Sequence, residues 1–273
     1  MQQPAGVRAL PLGSTRVVHF VRHAQALSNI AGENDHMAYS SEEWLDSALS
    51  PAGWRQALAL QRHVKAQGLR PQLVVVSPLT RAISTACVAF GDNFSSQEEH
   101  TAAQVLMRPM PPAAHPGIIQ GPGTAPFLAV ELCRETLGIH PCDRRRTATY
   151  LRETFPGVDS SDISEEDELW TADSRESLPA LMLRATQFVS WLMARPEREM
   201  AVVAHSGFLH ALVLTLSAAS QQSNFSIIGA TDNLARQFNN AELRSLVLVD
   251  HTSPCEGRDS PTNFVGGQAA LDA

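Results

Sequence analysis

The stretch Val17-Val18-His19-Phe20-Val21-Arg22-His23-Ala24 decides how the rest of the chain is read. Its first five residues are almost all apolar, and continuous apolar runs suit strands covered on both faces. The run then passes straight into an arginine and a histidine. Four similar runs follow: Leu73-Val74-Val75-Val76-Ser77, Phe127 to Leu132, Met200-Ala201-Val202-Val203-Ala204 and Leu246-Val247-Leu248-Val249. Two of these also run directly into polar chemistry, as Ser77-Pro78-Leu79-Thr80-Arg81 and His205-Ser206-Gly207.

Helical patterns separate the strands. Ser50 before Pro51 reads as an N-cap with proline at the first helical position. Ser77 before Pro78 reads as the same device, which places Arg81 in the first turn of a helix. Leu178, Leu181, Met182, Ala185, Phe188, Val189 and Leu192 fall on one face of another helix. Strand-helix alternation implies an α/β fold, a three-layer sandwich with a mostly parallel central sheet and helices on both faces. The fifth run, Leu246 to Val249, is placed at an edge. A single domain is expected over residues 1–273, with its core over about 15–250. Gly91 to Pro126, rich in Pro, Gly, Ser and Ala, reads as a loop-rich insertion, and 251–273 as a polar tail.

Composition excludes several classes. The 273 residues are 44% apolar and 18% charged, a normal globular balance. Twenty-one basic against 28 acidic residues give a net charge of −7, unsuited to nucleic acid or an anionic membrane surface. Cys87, Cys133, Cys142 and Cys255 form no zinc or CxxC pattern and suit a reducing compartment. No run approaches a membrane span and no signal peptide is visible, so a cytoplasmic location is expected.

In an open parallel sheet, ligands bind outside the carboxyl ends of the strands. Arg22, His23, Arg81 and His205 would therefore meet at one edge, with Asn29 six residues after the first histidine. That set suits a phosphoryl group. Guanidinium forks bind phosphate oxygens, a helix N-terminus favours an anion, and a neutral imidazole can attack phosphorus to form a covalent intermediate. Two flanking arginines repel a cation, so no metal is expected.

Arg22-His23-Ala24 through Asn29, Leu49-Ser50-Pro51-Ala52-Gly53, Ser77-Pro78-Leu79-Thr80-Arg81 and Ala204-His205-Ser206-Gly207 occur in this order. The series resembles the histidine phosphatase superfamily, with its phosphoglycerate-mutase-like fold. Glu131-Leu132-Cys133-Arg134-Glu135, followed by His140-Pro141-Cys142-Asp143-Arg144-Arg145-Arg146, is similar to the plant and fungal phosphoglycerate-mutase-like proteins in particular. The resemblance implies that His23 is the nucleophile and that Arg22, Arg81 and His205 hold the phosphoryl oxygens. Asn29 and Ser206 would add neutral contacts to the substrate. It also implies a carboxyl general acid just after the third strand. Glu135 fits by its place before Leu137-Gly138, with Glu131 the alternative. Ala24 stands where the family has glycine and Gln25 where it has an acid. The Glu-Arg-His-Tyr-Gly segment of cofactor-dependent mutases is absent.

The expected function is a metal-independent phosphomonoesterase acting through phosphohistidine on a small phosphorylated substrate, without a cofactor. A phosphoglycerate mutase, a phospho-ligand-binding protein without turnover and a scaffold remain the alternatives. Other features are read more plainly. Asp143 is read as the N-cap of a helix through Tyr150, so that Arg144, Arg145 and Arg146 are either a second anion contact or solvated partners of an acidic loop. That loop, Asp159 to Asp173, holds seven acids and no Lys or Arg. It is read as solvated, with an electrostatic gate as the sharper alternative and Leu169 and Trp170 as its anchors. His19 should be packed or hydrogen-bonded and Cys87 a small buried hydrophobe. The remaining histidines, His36 and His140 among them, offer no constellation.

Overall fold

A computed structural model describes residues 12–91, 125–221, 225–228 and 236–251. Nearly all of the expected insertion, the tail and Cys255 lie outside the described residues. The elements are β1 Thr15–Arg22, α1 Leu27–Asn34, α2 Pro51–Gln67, β2 Leu73–Val76, α3 Thr80–Phe90, β3 Phe127–Ala129, α4 Ala148–Thr154, β4 Val158–Asp159, α5 Leu178–Ala194, β5 Glu199–Ala204, α6 Ser206–Gln221, β6 Phe225–Ile228 and β7 Leu243–Asp250. Short 3₁₀ turns cover His36–Ser40, Glu42–Trp44, Glu131–Cys133 and Pro141–Asp143.

The seven strands form one mixed sheet in the order β4-β3-β2-β5-β1-β7-β6. Strands β4, β3, β2, β5 and β1 are parallel, and β7 runs antiparallel to both β1 and β6. The strand containing Leu246 to Val249 is therefore not an edge. The short strand Phe225–Ile228 covers it, and its unalternating Phe-Ser-Ile-Ile carries too little period to be recognised as a strand. The third strand also ends earlier than its apolar run, because Glu131–Cys133 turns into a 3₁₀ helix.

Alternating strand residues feed two cores. Val18, Phe20, Val75, Met200 and Val202 pack with Leu181, Ala185, Phe188 and Leu192 of α5 and with Phe208, Leu209 and Leu212 of α6. Val21, Val74, Val76, Ala201 and Val203 pack on the other face with Leu60 and Val64 of α2, Ile83 and Ala86 of α3 and Leu151 of α4. The three layers follow from this alternation. Leu178 is exposed at the start of α5, whereas the rest of its apolar stripe packs inward.

Capping is as expected at α2, where Ser50 Oγ accepts from Gly53 N–H at 3.0 Å. Gly53 is required for the close pass of the loop after β1: a Cβ there would lie 2.0 Å from the Gln25 carbonyl oxygen. Ser77 does not cap α3. That helix begins at Thr80, whose N–H donates to Asp46 Oδ1 at 2.8 Å and whose hydroxyl donates to Asp46 Oδ2 at 2.6 Å. Burial raises the Asp46 pKa, against those two hydrogen bonds. No helix among the described residues is long and apolar enough to cross a membrane.

Candidate active site

Three strand ends are flush. Arg22 pairs with Ala204 and Val76 with Val203 in the sheet register. His23 N–H then donates to the Ala204 carbonyl at 2.9 Å and Ser77 N–H to the Val203 carbonyl at 3.1 Å. His23, Ser77 and His205 are brought side by side by backbone pairing alone.

His23 is buried, and its Nδ1 lies 2.7 Å from the Ala24 carbonyl oxygen. A carbonyl can only accept, so Nδ1 carries the proton and Nε2 the lone pair. Arg81 Nε donates toward that Nε2 at 3.3 Å. Burial, then Arg81 and Arg22, hold the His23 pKa well below 6.5. The ring is thus a neutral base with a defined lone pair. Its loop is pinned by Thr85, which accepts from Ala24 N–H at 3.0 Å and donates to the Arg81 carbonyl at 2.7 Å. Ala24 has no positive φ, so alanine can stand in the place of glycine there.

His205 is fully buried, with its ring centre 5.0 Å from that of His23. Its Nε2 is 2.7 Å from Ser77 Oγ, and its Nδ1 is buried without a partner. Burial, then Arg81 and His23, hold its pKa well below 6.5. Arg22 Nη1 donates to the Phe238 carbonyl at 2.8 Å, while its Nε is buried and unpartnered. Asn29 Oδ1 accepts from Ala26 N–H at 2.9 Å. That bond identifies the oxygen and leaves the amide NH₂ as a donor.

A cavity of about 330 Å³ opens over this edge. Arg22, His23, Asn29, Arg81, Glu135 and Ser206 line it, whereas His205 does not reach its wall. Glu135 is held by peptide groups at the start of α6 and beside itself. Oε1 accepts from Thr136 N–H at 2.8 Å and Phe208 N–H at 3.2 Å, and Oε2 from Gly207 N–H at 3.1 Å. A Cβ on Gly207 would fall 2.3 Å from Glu135 Oε1, so any other residue there displaces the carboxylate from its present position. Glu131 points elsewhere, to Arg145 Nε at 2.6 Å and Arg134 Nη1 at 3.1 Å. Ser206 Oγ accepts from Gln237 at 2.8 Å. Among the described residues there is no group of three His, Cys, Asp or Glu side chains placed to hold a metal.

Three sequence expectations are corrected here. Asp143 caps no helix, since α4 starts at Ala148 with Thr147 as its cap. Asp143 is instead buried in the cavity wall, with Arg81 Nη2 and Arg175 Nη1 each donating to it at 2.8 Å. The arginine triplet lies outside any helical first turn and does not line the cavity. Arg144 pairs with Glu42 at 2.6 Å and lies 4.8 Å over the Trp170 ring. Arg145 is buried against Glu131 and the carbonyls of Ser164, Glu165 and Glu166, and so clamps the acidic loop. Asp167 of that loop pairs with the fully buried Arg134 at 2.6 Å. Trp170 donates its indole N–H to the His140 carbonyl at 3.0 Å, but Leu169 is exposed and anchors nothing.

The rings of His36, Tyr39 and His140 form part of the cavity wall, and Tyr39 stacks on His140 with centroids 5.6 Å apart. Nothing local marks this trio, because its members come from segments about 100 residues apart. Arg175, also in the wall, carries no motif either. His19 bonds Ser245 Oγ at 2.8 Å and Glu199 at 3.2 Å within the sheet, and Cys87 is buried with its thiol pKa raised by burial.

Residues 18–99 match the family model of the histidine phosphatase superfamily (branch 1). A phosphoglycerate mutase-like protein of Arabidopsis thaliana is 41% identical over 270 residues, covering 96% of this chain and 94% of that one. Phosphoglycerate mutase-like protein 1 of the same plant is 37% identical, covering 92% and 88%. Among solved structures, the ecdysone phosphate phosphatase from Bombix mori in complex with tungstate superposes with a TM-score of 0.51 at 15% identity, covering 84% of this chain and 88% of that one.

Proposed function

The chain belongs to the histidine phosphatase superfamily, and from that premise we propose that it hydrolyses a small phosphate monoester through a phosphohistidine on His23, without a metal. The observation that carries this reading is the state of the His23 ring. Its proton is tied to the Ala24 carbonyl, and its Nε2 lone pair faces the Arg81 guanidinium in the wall of an open, cationic cavity.

The Nε2 lone pair leaves the Arg81 Nε–H, which turns to a phosphoryl oxygen, and attacks phosphorus as the P–O bond to the leaving group breaks. Glu135 gives that oxygen its proton. Oε1 already accepts two peptide N–H bonds and Oε2 only one, so Oε2 is the oxygen placed to carry the proton. In the second step water attacks phosphorus, Glu135 takes its proton, and the P–N bond breaks to restore the imidazole. Charge gathering on the equatorial oxygens faces Arg22, Arg81 and the Asn29 amide, donors already in place before reaction. The unpartnered Arg22 Nε and His205 Nδ1 are buried polar atoms awaiting an acceptor or donor. The cavity volume suits a small ligand.

The test is hydrolysis of p-nitrophenyl phosphate in EDTA by wild type and His23→Ala. Release of p-nitrophenol that survives chelation and disappears in the variant supports the reading. The relatives' mutase-like names give the second reading its observation. Interconversion of phosphoglycerates that depends on a bisphosphate primer, with no net phosphate release, would replace hydrolysis by it.

A further inference from the structure

We propose that Asp143 is a positioning residue for phosphoryl transfer: its carboxylate, set between Arg81 and Arg175, aims the Arg81 guanidinium at the His23 nucleophile. The inference rests on the phosphomonoesterase reading of the same site.

A buried carboxylate is out of place in a cavity for an anion. Asp143 is 4% exposed in its side chain and belongs to the cavity wall. Its charge repels a phosphoryl group at short range. Its retention there calls for a gain in rate rather than in affinity. Only interactions stronger in the transition state than in the ground state accelerate the chemical step.

The hydrogen bonds show where that gain arises. Arg81 Nη2 donates to Asp143 Oδ1 at 2.8 Å, and Arg81 Nη1 donates to the carbonyl of the adjacent Cys142. Both outer nitrogens are gripped by one turn, so the plane of the guanidinium is set and Nε points at His23 Nε2. Two N–H groups of the fork remain for phosphoryl oxygens. Burial alone would lower the Arg81 pKa, but Asp143 and the neighbouring acids reverse that effect.

The gripping turn is itself held from several sides. Arg134 Nη2 donates to the Asp143 carbonyl at 2.7 Å, and Asp46 N–H to the Pro141 carbonyl at 3.3 Å. Arg175 Nη1 bridges Asp143 Oδ2 at 2.8 Å and the Gly138 carbonyl at 2.6 Å. The side chain and the main chain of Asp143 are thus fixed independently. Such support is what precise placement of a catalytic group requires.

The experiment compares Asp143→Asn and Arg175→Gln with wild type, using p-nitrophenyl phosphate as substrate and inorganic phosphate as competitive inhibitor. Asp143→Asn should lower kcat about 100-fold, as a small misplacement does. Its phosphate inhibition constant should stay within about threefold of wild type or tighten, because a negative charge has left an anion site. Arg175 is part-exposed, so its variant reports even if Asp143→Asn folds poorly; kcat should drop about tenfold, with phosphate affinity falling less than about threefold for the lost positive charge. Wild-type kcat in both folded variants would overturn the proposal. So would a parallel loss of rate and phosphate affinity, which marks simple collapse of the site. A wild-type rate that survives His23→Ala overturns the parent reading and this one with it. A His23-dependent rate indifferent to Asp143 overturns only this one.

Discussion

Glu131 opens a 3₁₀ turn and Glu135 stands four residues on, just past its end, with the buried Arg134 between them, and they meet opposite fates. Glu131 is held by two guanidinium groups, Arg145 and Arg134. With Asp167 it completes a block of two arginines and two carboxylates that ties the acidic loop to the body. Glu135 touches no arginine at ion-pair distance among the described contacts. Neutral peptide N–H groups hold it at the edge of a cavity. The cavity itself sets Arg22, Arg81 and Arg175 against Asp143 and Glu135, so it keeps a positive excess before any proton is added. The Glu131 block is balanced in charge, and the cavity is not.

The largest effect should come from the cavity side. His23→Ala should cut turnover on the order of 10⁴-fold or more, since the proposed mechanism has no other group to form the covalent intermediate. A residual rate within tenfold of wild type, on a variant with native circular dichroism, would erase the distinction between the two clusters. Glu135→Gln should lower kcat about 10²- to 10³-fold on an alkyl phosphate, and far less on p-nitrophenyl phosphate, whose leaving group needs no proton. Glu131→Gln inverts this pattern. Its kcat should change little, while urea unfolding should show a loss of about 3 kcal/mol, because two buried guanidiniums lose a partner. Equal effects of the two glutamine variants on both rate and stability would remove the contrast.

A pH series sharpens it further. His23 and His205 have folded pKa values depressed below 6.5 by burial and neighbouring cations. Below 6.5 the unfolded chain takes up two protons that the folded one does not. Stability should therefore fall as pH falls below 6.5, and less steeply in His23→Ala. The Glu131 block acts in a different window. Asp167 is pulled below its ordinary 3.8 by Arg134, against the effect of burial, so its share of stability is lost only in stronger acid. By the same sign, kcat/KM should hold its value through pH 6.5 instead of halving there, since His23 stays a free base; a midpoint at 6.5 would show an ordinary imidazole. The smallest effect is expected at the cavity mouth. Tyr39→Leu removes the stack on His140, and KM for an aryl phosphate should rise about three- to tenfold with kcat kept.

Local signals were legible in the sequence and distant ones were not. Ser50 announces α2 because a cap and its N–H partner are three residues apart. The strand-end motifs announce the site because strand register alone brings His23 and His205 together. Ser77 misleads because its hydroxyl has a better partner in His205, 128 residues away. Asp143 misleads for the same reason: a capping pattern is local, whereas Arg81 and Arg175 reach it from two other segments. Arg145 was half read. Its partner is the acidic loop, but it meets the carbonyls there, and it is buried rather than solvated. The stack of His36, Tyr39 and His140 left no trace at all, since single aromatic residues in loops carry no period.

The grip on Glu135 has a consequence for how this chain tolerates change. The three N–H groups that hold the carboxylate belong to the peptide units of Thr136, Gly207 and Phe208. A peptide N–H survives every substitution except proline. Substitution at Thr136 therefore keeps its peptide contact and gives up only a hydroxyl that donates to Oε1 at 3.3 Å, whereas Phe208 is fixed for a different reason, its burial in the core. At Gly207 even a methyl group would collide with the carboxylate. A saturation library over residues 135–136 and 206–208 should accordingly read as three rigid positions, Glu135 and Gly207 for the carboxylate and Phe208 for the core, with Thr136 the most permissive.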